Sequence, residues 1–233
     1  MVLLIKQVPN TQNVKIDPAK GTLIREGVES IVNPDDLHAL EIALQLKERF
    51  GGEITVITMG PPQAKDGLYE CLAMGVDKAI LLSSAKFAGA DTWVTAATLM
   101  LALEKLGSYD VLFAGNEALD GNTAQVPYQI SQGLKIPLIT HIRHIENVIP
   151  TSGGSGKALL IERIKGHERQ RIQVPTPLII TADKHTNDVR YMSLGEIRKV
   201  EQKQIITWTE KDFSVDPSKL SIVTGKQIGR AHV

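Results

Sequence analysis

Residues 109–130 read YDVLFAGNEALDGNTAQVPYQI. The apolar run at 111–114 stops at Gly115, and the polar residues Asn116, Glu117, Asp120, Asn122, Thr123 and Gln125 crowd the stretch that follows, among Ala118, Leu119, Gly121 and Ala124. Helical patterning resumes only near Val126. Gly115 and Gly121 let the backbone approach a ligand and turn N–H groups toward an anion. Asp120 suits a turn, and Thr123 and Gln125 offer side-chain hydrogen bonds. The loop has no lysine, and neither G-x-G-x-x-G nor G-x-x-x-x-G-K-[ST] occurs in the chain. NAD-type dinucleotide and triphosphatase motifs are therefore both missing.

Three further stretches have similar chemistry. Asp91 and Thr92 open a helical pattern, so a capping carboxylate and a hydroxyl stand at a helix N-terminus suited to anions. Thr95 lies one turn on, on the same helix face. Residues 6–9 (KQVP) and 59–62 (MGPP) each follow an apolar run. Taken singly, each stretch reads as a turn that ends a strand. Four glycyl and polar loops at one sheet edge shift the reading toward a nucleotide pocket.

Other constellations carry less. His141 and His144 fall in a predicted strand on opposite faces, so no metal site is expected. His38 reads as part of a solvated helix face beside Asp35 and Asp36, whose charges suit a helix N-terminus. Ser83, Ser84 and Cys71 have no base nearby in sequence, so no catalytic nucleophile is assigned.

These loops need a frame. Apolar runs at 2–5, 54–58, 79–82 and 111–114 lack period-two alternation, as strands buried on both faces do. Helical patterns at 35–50, 63–74 and 92–106 separate them. The first follows Asn33-Pro34, a cap-like residue and a proline suited to the first turn, and glycines follow each end. The expectation is an α/β fold: a doubly wound, mostly parallel, Rossmann-like sheet. Runs at 141–148, 158–165, 171–174 and 178–182 read as a small β meander spanning about 139–182, with SGGSG at 152–156 as a hairpin-type connection. Residues 1–183 then form the α/β domain. Residues 184–227 form a polar segment with one short helix and an extended C-terminal arm.

Bulk properties narrow the function. Twenty-six basic and 26 acidic residues balance, so no basic surface argues for nucleic acid. Aromatics make up only 4%, few for stacking bases. No run of about 18 apolar residues exists to span a membrane. One cysteine, and a first strand starting at Val2 with no room for a leader, point to the cytoplasm.

Five blocks, KQVPN near the start, VNPDDLHALEIALQLKE at 32–48, VITMGPP at 56–62, ALDGNTAQ at 118–125 and VRYMSLGEIRK at 189–199, occur in an order similar to that of the beta subunit of electron transfer flavoproteins, the ETF/Fix family. The resemblance implies a heterodimer with an FAD-bearing alpha subunit and an adenine nucleotide in this chain. That nucleotide is AMP in the housekeeping type. In the electron-bifurcating type it is FAD, reduced by NADH, with electrons divided between a high-potential acceptor, such as an acyl-CoA-type dehydrogenase, and a ferredoxin or flavodoxin. The implied contacts are Leu4, Asn33, Pro34, Asp35, Asp36, Met59, the loop from Gly115 through Gln125, and Val126. FAGADTWVT at 87–95, with Asp91, Thr92 and Thr95, resembles the bifurcating branch and favours FAD over AMP. A free-standing adenine-nucleotide sensor is the third reading.

Two positions stand out against the family pattern. Asn116-Glu117 replaces a cation and an amide, which puts a carboxylate near the expected phosphates. Leu194 matches the recognition loop that docks an apolar anchor into a partner dehydrogenase; a helix-start staple packed on its own domain is the alternative. IGRAHV at 228–233 follows no family pattern and is encodable by a common sequencing-adapter sequence, so the natural arm is expected to be cut near Lys226.

Overall fold

Strands with no polar face need cover on both sides, and the computed structural model provides it. The structure describes residues 1–10, 15–16, 23–24, 29–151, 156–192, 194–200 and 203–213. The strands are β1 (Val2–Ile5), β2 (Gln7–Pro9), β3 (Lys15–Ile16), β4 (Leu23–Ile24), β5 (Ser30–Val32), β6 (Thr55–Met59), β7 (Lys78–Leu82), β8 (Val111–Gly115), β9 (Leu138–Ile139), β10 (Ile142–Pro150), β11 (Lys157–Lys165), β12 (Glu168–Pro175), β13 (Leu178–Ala182) and β14 (Ile205–Trp208). The α-helices are α1 (Pro34–Phe50), α2 (Lys65–Met74), α3 (Thr92–Leu106), α4 (Val126–Leu134) and α5 (Leu194–Val200).

Among the described residues, seven strands form one sheet in the order β14-β7-β6-β1-β8-β13-β9. Every pairing within it is parallel. Alternate residues serve opposite cores. Leu3 and Ile5 face α1 and α2, packing with Leu40, Leu68 and Leu72. Val2 and Leu4 face the other side, with Leu99, Leu103 and Ile130 of α3 and α4. Burying each such aliphatic contributes about 1.5–3 kcal/mol, and the buried polar residues of these strands are threonines, Thr55, Thr58 and Thr181. The fold is the doubly wound α/β class that the sequence predicts.

The chain winds outward from β1 through β6 to β7, then crosses back to β8 on the other side of β1. The β1–β8 pair is therefore the switch point, where a crevice opens beyond the carboxyl ends of the strands.

Two expectations about the second half change. β10, β11 and β12 form a separate antiparallel sheet, but the fourth run, 178–182, is not its last strand. It is β13, inserted parallel between β8 and β9 and buried at all five residues. The segment around Trp208 is not a free extended arm either. β14 pairs with β7, Thr209 and Asp212 form a reciprocal capping box, and Phe213 is buried edge-on to Trp208 at 6.3 Å. Residues 152–155 of the glycine-serine connection, residues 214–233 and the IGRAHV end lie outside the described residues. Among the described residues, no helix is long and apolar enough to cross a membrane.

Candidate functional site

A cleft of about 920 Å³ opens over the carboxyl ends of β1, β6, β7 and β8. Its floor is apolar, from Leu4, Met59, Leu99, Ala114 and Val126; its walls come from all four predicted loops. Of the predicted residues, Leu4, Asn33, Asp36, Met59, Asp91, Thr92, Thr95, Gly115, Asn116, Glu117, Ala118, Gly121, Thr123, Ala124, Gln125 and Val126 line it together. Pro34, Asp35, Leu119, Asp120 and Asn122 stand behind or beside the wall.

The start of α1 holds the 115–125 loop from behind. Asn33 is buried and does not cap α1 through its side chain, as its position suggested. Instead its amide donates to Glu117 O at 2.8 Å and its oxygen accepts from Leu119 N at 3.0 Å. Asp35 accepts from Glu117 N at 3.3 Å. Asp36 joins the two strands of the switch point: one carboxylate oxygen accepts from Lys6 N at 2.7 Å, the other from Gly115 N at 2.9 Å. Burial pushes the Asp36 carboxyl up to about 7, against the pull of those N–H donors and the Asn33 side chain. Burial also raises Asp35. These acidic residues thus act as braces through two strands and a loop, beyond any helix-dipole effect.

Gly115 is required by this bracing. A Cβ there would lie 2.3 Å from Asp36 Oδ1 and 2.9 Å from Asp36 N. Further along, Asn122 and Ala124 adopt left-handed backbone at φ 46° and 52°. That conformation is unfavourable for alanine by about 1–2 kcal/mol and concentrates at ligand sites. Among the described residues, no acceptor takes the N–H groups of Thr123, Ala124, Gln125 and Val126. They stand at the mouth of α4, a row of donors at a helix start beside the cleft.

The α3 side is preset as well. Asp91 caps Val94 N at 2.8 Å and Thr95 donates to Asp91 O at 2.7 Å. Thr92 donates to Gln125 Oε1 at 2.7 Å and accepts from Gln129 at 3.2 Å, tying α3 to α4.

Lys6 joins the site although the sequence pattern does not single it out. It lines the cleft, and its ammonium reaches Asp120 Oδ1 at 2.6 Å. The signal was its place directly after β1, in a loop already singled out. His38 also differs from expectation: half-buried, it pairs through Nδ1 with Asn187 Oδ1 at 2.9 Å. Away from the cleft, ligand atoms of His144, Glu146 and Glu162 come within 4.8 Å of one another, but the two carboxylates already meet Arg171 and Arg169.

Leu194 lies apart, on α5. It is 78% exposed, and Tyr191, three residues earlier in the chain, is 98% exposed, so Leu194 is not stapled onto its own domain. Arg190, just before this patch, is clamped on α1 by Glu41 at 2.8 Å and by Glu48.

The electron transfer flavoprotein domain matches residues 20–213. The chain belongs to the electron transfer flavoprotein family. Within that family its similarity is to beta subunits. It is 46% identical to the electron transfer flavoprotein subunit beta of Clostridium acetobutylicum over 222 residues, 95% of this chain and 83% of the relative. It is also 46% identical to the caffeyl-CoA reductase-Etf complex subunit CarD of Acetobacterium woodii, covering 93% of this chain and 80% of that one. Protein FixA of Azorhizobium caulinodans is 37% identical, covering 93% of this chain and 77% of its own. In this flavoprotein-family chain the cleft stands where an α/β fold places its ligand.

Proposed function

We propose that this chain is the nucleotide-binding subunit of an electron-transferring heterodimer, with FAD in the cleft at the β1–β8 switch point. The carrying observation is the cleft itself. Its volume is near the upper end of the range of about 300–1,000 Å³ for small-molecule and cofactor sites, and unpaired N–H groups edge an apolar floor. An adenine dinucleotide matches that combination better than AMP, which leaves much of the volume unused. Leu4 and Met59 pack against the adenine end. Thr123 through Val126 donate to the diphosphate, and Thr92 and Thr95 take the adjoining chain. Bound there, FAD would supply the chemistry that links two-electron to one-electron transfer. The protein's part is to hold the cofactor, keep water from the apolar floor and fix the loop through Asn33 and Asp36.

NADH is the proposed donor. An alpha subunit, an acyl-CoA-type dehydrogenase and a ferredoxin or flavodoxin are the proposed partners. A caffeyl-CoA reductase–Etf subunit and an acryloyl-CoA reductase electron transfer subunit among the relatives support the acyl-CoA side. Leu194, Tyr191 and their exposed surroundings form the proposed dehydrogenase contact. The test is cofactor extraction from the complex purified with its alpha subunit. Two FAD per complex is expected. One FAD with one AMP defeats the FAD assignment, and no nucleotide beyond the alpha subunit's own FAD defeats the site.

A further inference from the structure

The cleft poses a charge problem for any phosphate. Three carboxylates line it, those of Asp36, Asp91 and Glu117. No cation follows Gly115 in the loop, where Asn116-Glu117 stands. Asp36 spends both oxygens on backbone N–H groups and Asp91 caps α3, but among the described residues the Glu117 carboxylate has no hydrogen-bond or ion-pair partner. Backbone dipoles alone would have to hold two phosphate charges against these acids.

Among the described lining residues there is one cation, Lys6. It enters from the end of β1, on the opposite side of the switch point from the loop. Its backbone N–H is fixed by Asp36, so the root of the side chain is anchored while its four-carbon stem stays free to turn. An ammonium has three donors, and one is engaged, by Asp120. Asp120 lies beside the cleft wall, and both side chains are partly exposed, at 49% and 33%. Exposed pairs of this kind are weak, whereas an ammonium on phosphate within a recessed site makes a stronger, charge-assisted bond.

We propose that Lys6 is the phosphate-binding cation of the cleft, and that Asp120 competes with the ligand for it. The missing charge of the 115–125 loop is thereby supplied from β1. Asp120 sets how much affinity the phosphates gain, because binding must exchange one anionic partner of Lys6 for another. This deepens the nucleotide reading above and rests on it.

The test is calorimetric titration of the full chain with AMP and, separately, with adenosine, which shares the base and ribose but carries no phosphate. Lys6→Gln should weaken AMP about tenfold and leave adenosine unchanged. It should also flatten the salt dependence of AMP binding. Lys6→Arg should restore most of the loss, and Asp120→Asn should tighten AMP relative to wild type. Thermal melting of each variant confirms folding. The proposal is overturned if Lys6→Gln changes AMP and adenosine equally, or changes neither. If the wild-type chain binds neither AMP nor FAD, the nucleotide reading itself fails, and this proposal with it.

Discussion

Gly115→Ala puts the bracing of the loop under direct test. The added methyl would sit 2.3 Å from Asp36 Oδ1, 2.8 Å from Asp35 Cβ and 2.9 Å from Asp36 N, about 1 Å inside ordinary contact for the closest of these. Asp36 cannot yield, since both its oxygens are engaged, and α1 cannot slide without disturbing Asn33. The loop must therefore back away from α1. Overpacking of this kind costs about 1–3 kcal/mol, and stretching the Gly115 N–H bond to a buried carboxylate costs about 1–3 kcal/mol more. Their overlap gives an expected loss of about 2–4 kcal/mol from a total near 5–15 kcal/mol, so the chain still folds. The assay is urea unfolding, paired with titration by FAD. Gly121→Ala is the stability control, because no described residue lies within 4 Å of its added carbon; it should stay within about 0.5 kcal/mol of wild type. If the two variants are equally stable and bind FAD alike, the clamp from α1 is not what holds this loop.

Three further outcomes are expected. Asp36 binds its proton more tightly folded than unfolded, being held up to about 7 from 3.8 by burial. Its share of stability is therefore full below about pH 4 and lost as pH rises through 7, so the stability advantage of wild type over Asp36→Asn should shrink between pH 5 and pH 8; growth of that advantage would contradict the burial argument. Arg190→Ala strips the almost fully buried Glu41 side chain of its ionic partner and leaves it, among the described residues, the Gln45 amide and the backbone N–H at position 190; a loss of about 1–3 kcal/mol in urea unfolding is expected, reduced from the buried-pair range because the guanidinium is one-third exposed. Leu194→Ala should leave flavin content intact and lower kcat/KM for electron transfer to the partner dehydrogenase about tenfold; unchanged transfer would remove Leu194 from the contact.

The parts legible in the sequence were those governed by local pattern. Apolar runs without alternation gave the central strands, and glycyl loops after them gave the cleft, because a doubly wound sheet gathers its strand ends at one edge. The rest depended on partners far along the chain. LIITA at 178–182 follows β12 closely and so reads as part of the meander, although its five apolar or small residues in a row already suit a strand covered on both faces. β14 is four residues long and pairs with a strand more than a hundred residues earlier, which no local period encodes. Asn33 reads as a cap from its neighbours, yet its partners are Glu117 and Leu119. Lys6 meets Asp120 across 114 positions, so the loop that lacks a cation gave no hint of where one would come from.

On the proposed function, the crevice at the β1–β8 switch point holds an adenine dinucleotide. Titrating the full chain into FAD while following flavin fluorescence addresses it directly. Saturable quenching at one FAD per chain, reversed by AMP and weakened by Gly115→Ala, is the predicted result. Quenching that does not saturate, or that neither AMP nor Gly115→Ala affects, would contradict it.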